Sequence, residues 1–192
     1  MKLLTIDEII SSILDETKGL DEEITDGMIL KEEMIPYSSL DKVKQLLKIE
    51  YLDQVFSDYI LKYNWGNVGF LSYQFGNNDE IGLDWLINRN LEYSDYHILQ
   101  KEGIIIIANG DPYTILLEYS SGKIYAFTSD MSYEEKIQIA LDFEELVRAM
   151  GTGQYALWKN NEKEFTELMS SMVEEDGLVF WKDYVGLYYI NA

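Results

Sequence analysis

Near the middle of the chain, Gly103–Asp130 (GIIIIANGDPYTILLEYSSGKIYAFTSD) restricts the fold more than any other stretch. Ile104–Ala108 is an unbroken apolar run, which fits a strand buried on both faces, although a run this short does not by itself exclude a helix. Its β-branched content and the preceding Gly103 favour the strand. Asn109-Gly110-Asp111-Pro112 is dense turn chemistry, since Gly permits positive φ and Pro fixes φ while removing a donor. Tyr113–Tyr119 then alternates: Tyr113, Ile115, Leu117 and Tyr119 point one way, Thr114, Leu116 and Glu118 the other, the pattern of a half-buried strand. Ser120-Ser121-Gly122 supplies a second tight turn, and Ile124–Thr128 returns as a third strand. Turns this short carry only antiparallel pairing.

The flanks read mainly as helices. Thr5 with Glu8 forms a capping box ahead of Ile6, Ile9, Ile10, Ile13 and Leu14, with Gly19 as a stop. Leu20–Ile35 is acidic and irregular and reads as a loop. Ser38 with Asp41 opens a second helix with Leu40, Val43, Leu46 and Leu47 inward, and Leu52–Tyr63 carries a third apolar stripe. Val68–Phe75 reads as a strand and Ile81–Asn90 as a short helix. Ser132 with Glu135 fits the cap of a short turn, while Ile137, Ile139 and Leu141 fit an edge strand equally well. Asp142 and Glu145 form a capping box for a helix ending at Gly151. Asn161 with Glu164 opens another, ended by Gly177, and Leu178–Ile190 fits a strand or a helix. The expectation is one α+β domain spanning residues 1–192, with Gly151–Ala192 as a C-terminal extension.

Charge and composition narrow the function classes. The net charge is −20, from 35 acidic and 15 basic residues. That field repels nucleic-acid phosphate and anionic lipid, so neither is expected as a direct partner, and it favours a basic protein surface. The charge is uneven: Met1–Ile35 holds 10 acidic and 3 basic residues, whereas Pro36–Asn64 holds 4 of each. No run approaches the roughly 18–20 apolar residues of a membrane helix, and the N-terminus turns acidic too early for a secretory signal. A cytoplasmic location is expected. Cysteine is absent, which removes disulfides, thiolate chemistry and cysteine–zinc sites.

Reactive constellations are sparse. His97 is the only histidine, too little for a histidine-rich metal site. Sequence-adjacent acids such as Glu22/Glu23 and Glu134/Glu135 do not face each other on a helix, and a glycosidase pair needs a cleft geometry that sequence does not display. Asp21, Glu23, Thr25 and Glu32 fall at calcium-loop spacing, but Asp26 stands where the sharp turn wants glycine, so a solvated acidic loop is the better reading. Nothing calls for a cofactor. The four tryptophans and 15 tyrosines suit a core or a sugar- or protein-binding face.

The order of these elements resembles the SUKH superfamily, which groups fungal cell-wall-synthesis regulators with bacterial immunity proteins. The aromatic-flanked turn Asn64–Asn67, the strand and turn Ile104–Asp111, the hairpin Gly122–Phe127 and the helix Asp142–Met150 carry the resemblance, over about Ser38–Met150. Trp65-Gly66-Asn67 stands where the family often has Gly-Gly, and Gly151–Ala192 lies outside the matched unit. The resemblance implies a mostly antiparallel sheet flanked by helices and, for bacterial members, neutralisation of toxin domains, often nucleases, by direct binding, with no catalytic residues. The expected function is therefore a non-enzymatic immunity protein with a basic toxin or nuclease domain as partner. Its expected contacts are Asp21, Glu22, Glu23 and Asp26 in the acidic loop and Glu118, Asp130, Glu134 and Glu135 on the sheet side. A regulatory or scaffold module of the cell-wall type, without a toxin partner, is the alternative; a carbohydrate-directed enzyme or lectin would rest on acids and aromatics alone.

Overall fold

The three central strands form as their pattern requires and anchor a larger sheet. A computed structural model describes residues 1–77 and 82–187. In chain order the elements are α1 (Ile6–Glu16), α2 (Glu22–Thr25), β1 (Lys31–Glu32), α3 (Ser38–Leu47), α4 (Gln54–Lys62), β2 (Tyr63–Asn64), β3 (Gly69–Phe70), β4 (Tyr73–Gln74), α5 (Asp84–Leu91) and α6 (Tyr96–Lys101). They continue with β5 (Ile104–Asn109), β6 (Thr114–Glu118), β7 (Ile124–Phe127), β8 (Ile137–Ala140), α7 (Phe143–Trp158), α8 (Glu162–Met169) and α9 (Glu175–Tyr184). Among the described residues the architecture is α+β: a six-stranded antiparallel sheet in the order β3-β4-β5-β6-β7-β8, and a two-stranded sheet, β1-β2.

Side-chain alternation divides the sheet's two faces. Ile105, Ile107, Ile115, Leu117, Ile124 and Ala126 enter the main core, which α1, α4 and α7 complete. Ile104, Ile106, Leu116 and Phe127 join Leu99 of α6 in a smaller cluster on the other face. The expectation of a half-buried β6 is corrected at its centre, because Leu99 covers the face that carries Leu116. A bulge between Ile106 and Ala108 shifts the β5 register, so Ile107 and Ala108 both reach the main core. β4 pairs with β5 at Gln74↔Asn109. Further along β5, the buried Asn90 stands in for a neighbouring strand: its Oδ1 accepts the Ile106 N–H at 2.8 Å and its Nδ2 donates to the Ile106 carbonyl at 2.9 Å.

Several local expectations give way to tertiary packing. Leu20–Ile35 is not a plain loop: it holds α2 and β1, and β1 is ordered by pairing with β2 (Lys31↔Asn64). Val68–Phe75 is not one strand but a β3–β4 hairpin, reversed where Leu71 takes φ +52. Ser38 lies inside α3, behind Tyr37 as its N-cap. Of the Asp142/Glu145 capping box, Asp142 Oδ1 accepts the Glu145 N–H at 2.8 Å. The expected helix over Ile81–Asn90 begins at Asp84, and Ile81 lies outside the described residues, as does the end of Leu178–Ile190, of which Leu178–Tyr184 belongs to α9.

The C-terminal segment carries the largest correction. Gly151 and Gly177 end no helix: α7 runs through to Trp158, and Gly177 sits within α9. Both are sites of close approach. A Cβ on Gly151 would lie 2.6 Å from Ile9 Cδ1 of α1, and one on Gly177 would lie 2.6 Å from the Gln138 carbonyl of β8. Phe165, Met169, Phe180, Trp181 and Tyr184 enter the same main core as the sheet. Phe180 lies edge-on to Tyr73 and Tyr113 at 5.6 and 5.3 Å, so α9 reaches from β8 across to β4.

Candidate functional site

The acidic loop is folded onto the β3 edge of the sheet. In α2, the Asp21 carbonyl accepts the Ile24 N–H at 3.0 Å, and the Gly27 carbonyl then accepts the Gly69 N–H at 3.0 Å, tying the loop to β3. Asp26, exposed, accepts from Asn67 Nδ2 at 2.7 Å and lies 3.7 Å from Lys31 Nζ. The Trp65-Gly66-Asn67 turn thus holds the loop through its last residue. An exposed ion pair of this kind contributes only about 0–1 kcal/mol, so the Asn67 bond to the Asp26 carboxylate and the Gly27–Gly69 backbone bond position the loop.

Behind the loop lies a cavity of about 370 Å³, and its lining includes Glu23, Asp26, Asn67, Leu71, Gln154 and Trp158. Gln154 projects from α7 and is 3% exposed. Its Oε1 accepts the Leu71 N–H at 3.0 Å, which fixes the backbone at the hairpin reversal. Its Nε2 is shielded from water and has no acceptor among the described residues. Leaving such a donor unsatisfied costs about 1–3 kcal/mol.

The remaining expected contacts lie elsewhere. Asp130 and Glu134 are exposed in the connection between β7 and β8. Glu135 accepts the Ser132 N–H at 2.8 Å, which completes the expected capping box and holds its carboxyl below the usual glutamate range. Glu118, half-buried at the end of β6, accepts the Ser121 hydroxyl. The β7–β8 connection and the acidic loop flank opposite ends of the six-stranded order; at about 4.8 Å per strand, β3 and β8 are roughly 24 Å apart. The loop acids are therefore separated from Asp130, Glu134 and Glu135, and Glu118 lies apart from that connection, at the Ile124 end of β7. Asp21, Glu23 and Asp26 are exposed, and Glu22 and Glu23 belong to the short helix α2 between Asp21 and Asp26.

A second groove, of about 420 Å³, opens at the β8 edge, lined by Tyr125, Lys136, Leu141, Glu145, Glu174 and Asp176 among others. Lys136 Nζ sits 5.0 Å from the Tyr125 ring centroid and donates to the Tyr133 carbonyl at 3.3 Å. Burial, together with the nearby Asp142, pushes the Glu145 carboxyl above the usual glutamate range. Here the strand's free edge is covered: the Trp181 indole donates to the Ile139 carbonyl at 3.0 Å.

Chemically, the β3-edge cavity is lined by the carboxylates of Glu23 and Asp26, the carboxamide of Gln154 and the indole of Trp158. Among the described residues no group of three or more His, Cys, Asp or Glu side chains is placed to hold a metal ion, and no helix is long and apolar enough to cross a membrane. Gln154, Leu71 and Trp158 were not expected here. The available signal was the run Val147, Gly151, Gln154, Trp158, whose 4,3,4 spacing carries a polar residue along an apolar stripe beyond the glycine taken as the helix end. No protein-family model matches the chain, and no curated protein matches it.

Proposed function

We propose that the chain is a non-enzymatic binding protein, an immunity protein that neutralises a bacterial toxin domain of the nuclease class by direct contact. The observation that carries this reading is the net charge of −20, with Glu23 and Asp26 presented at the mouth of the β3-edge cavity. A nuclease cleft is basic because it holds phosphate, and an acidic inhibitor is steered towards it. The SUKH resemblance supports the same reading. Two of the elements that carry it meet in one aromatic nucleus, where the Phe143 ring lies 5.0 Å from Trp65 and 4.8 Å from Phe56.

The test pairs the purified chain with the toxin domain encoded beside its gene. The expected result is a stoichiometric complex, protection of cells expressing the toxin, and an association rate that falls about tenfold or more between low and high salt. Absence of both binding and protection would remove the immunity reading. A stable complex with a housekeeping assembly instead would favour the regulatory module.

A further inference from the structure

Two buried carboxamides in this protein differ in one respect that points to a ligand. Asn90 uses both ends of its amide, on Leu86 and Ile106. Gln154 uses one. Its Oε1 is committed to the Leu71 N–H, so turning the amide over would set donor against donor. Its Nε2 is left with no acceptor among the described residues and out of reach of water, in a side chain that is 3% exposed. Leu71, held by the same amide, sits at φ +52, a conformation that leucine rarely adopts. An unsatisfied buried donor beside a strained backbone is an expense that folding alone does not explain, and such departures concentrate where a ligand supplies the missing partner.

The surroundings select the ligand's chemistry. Gln154 has only N–H hydrogens left to offer, whereas a metal ion needs oxygens. A phosphate or carboxylate would satisfy the amide but would be repelled by Glu23 and Asp26 at the mouth. A cation close to a neutral carbonyl meets both demands, and an amino-acid residue with a basic side chain carries the two together. Trp158, half-buried in the wall, adds an indole surface on which a guanidinium stacks well. Lys31, 68% exposed and 3.7 Å from Asp26, holds the site loosely enough to give way.

We propose that the β3-edge cavity is the docking pocket for an arginine-bearing loop of a protein partner, with the guanidinium against Asp26 and Glu23 beside Trp158 and a main-chain carbonyl of the same loop accepting from Gln154 Nε2. This rests on the binding-protein reading above and names the part of the partner that this edge takes. Because Nε2 is shielded even from water, the carbonyl reaches it only when the cavity wall over the amide gives way.

The test is an NMR titration of the full chain with acetyl-Gly-Arg-Gly-amide, run beside acetyl-Gly-norleucine-Gly-amide, ethylguanidinium chloride and calcium chloride. The arginine peptide is expected to shift the Gln154 side-chain amide and the Trp158 indole saturably, and the norleucine peptide and calcium are expected to leave them in place. Asp26→Asn should weaken the arginine peptide about tenfold, and Lys31→Met should tighten it about threefold. Gln154→Leu should weaken the arginine peptide about tenfold while leaving ethylguanidinium, which has no carbonyl, unchanged; if that variant does not fold, Gln154→Met takes its place. Equal loss of both ligands, equal binding of the norleucine peptide, or the same shifts with calcium would overturn the pocket. A toxin complex whose affinity is indifferent to Asp26→Asn and Gln154→Leu would overturn the pocket and leave the binding reading standing. Saturable peptide docking here without any toxin neutralisation would do the reverse.

Discussion

The two edges of the six-stranded sheet are finished in opposite ways. At β8, α9 lies against the last strand: Gly177 lets the helix approach the Gln138 carbonyl, and the fully buried Trp181 satisfies the Ile139 carbonyl. At β3, the cover is a loop joined through Gly27 to Gly69, and behind it the sheet is backed by a glutamine that satisfies only half of its hydrogen-bonding capacity. An exposed strand edge invites unwanted pairing, so both edges are occupied. One is occupied by core-quality packing and the other by polar groups with a donor to spare. The contrast separates an edge closed by core packing from one that keeps an unsatisfied donor.

Substitutions at the two edges should therefore behave differently. The largest effect is expected at β8, where Trp181→Ala removes a buried indole and exposes the strand's carbonyl, costing about 3–5 kcal/mol in urea unfolding. Asn90→Leu, in the sheet interior, should cost about 2–4 kcal/mol, because the Ile106 N–H and C=O both lose their partner. Gln154→Leu sharpens the comparison: the loss of the Leu71 bond and the relief of an unsatisfied donor oppose each other, so stability should change by less than about 1 kcal/mol. A loss as large as that of Asn90→Leu would show that the β3 edge is built like the other one.

The smallest effect is a pH dependence in the β8 groove. The folded state holds the Glu145 carboxyl proton more tightly than the unfolded chain does, chiefly because of burial, with Asp142 adding to it and the Leu141 N–H and Arg148 opposing it. Between the two values the folded state binds more protons, so this group's contribution falls as pH rises through the ordinary glutamate range towards the raised one. Glu145→Gln removes that loss. Thermal melts of the two proteins should converge at low pH, with the variant gaining relative to the wild type as pH rises.

Much of the fold was legible because local signals and packing agree. Thr5 and Glu8 form the full reciprocal cap at the start of α1, Ile104–Ala108 is buried throughout, and Ile137–Ala140 is the edge strand. The glycines were misread for a physical reason. Gly151 and Gly177 carry the same composition signal as helix stops, yet each is required by a neighbour distant in sequence, Ile9 in one case and Gln138 in the other. The acidic loop was legible as acidic and exposed. Its place on the sheet was not, because Asn67 and Gly69, which hold it, lie some 40 residues further on, Asn67 being 41 residues from Asp26.

What the chain's order of residues determined by itself was a set of periodicities and charges: a three-stranded antiparallel core, amphipathic helices on either side, and a strong overall acidity. These are short-range properties, readable from spacing and from summed charge. Tertiary structure decided which carboxylates share a surface and which lie across the sheet from one another, and it brought Gln154 of α7 behind Leu71 of the hairpin, 83 residues apart. That pairing depends on how α7 packs against β3, and no local pattern encodes the meeting of two elements so far apart along the chain.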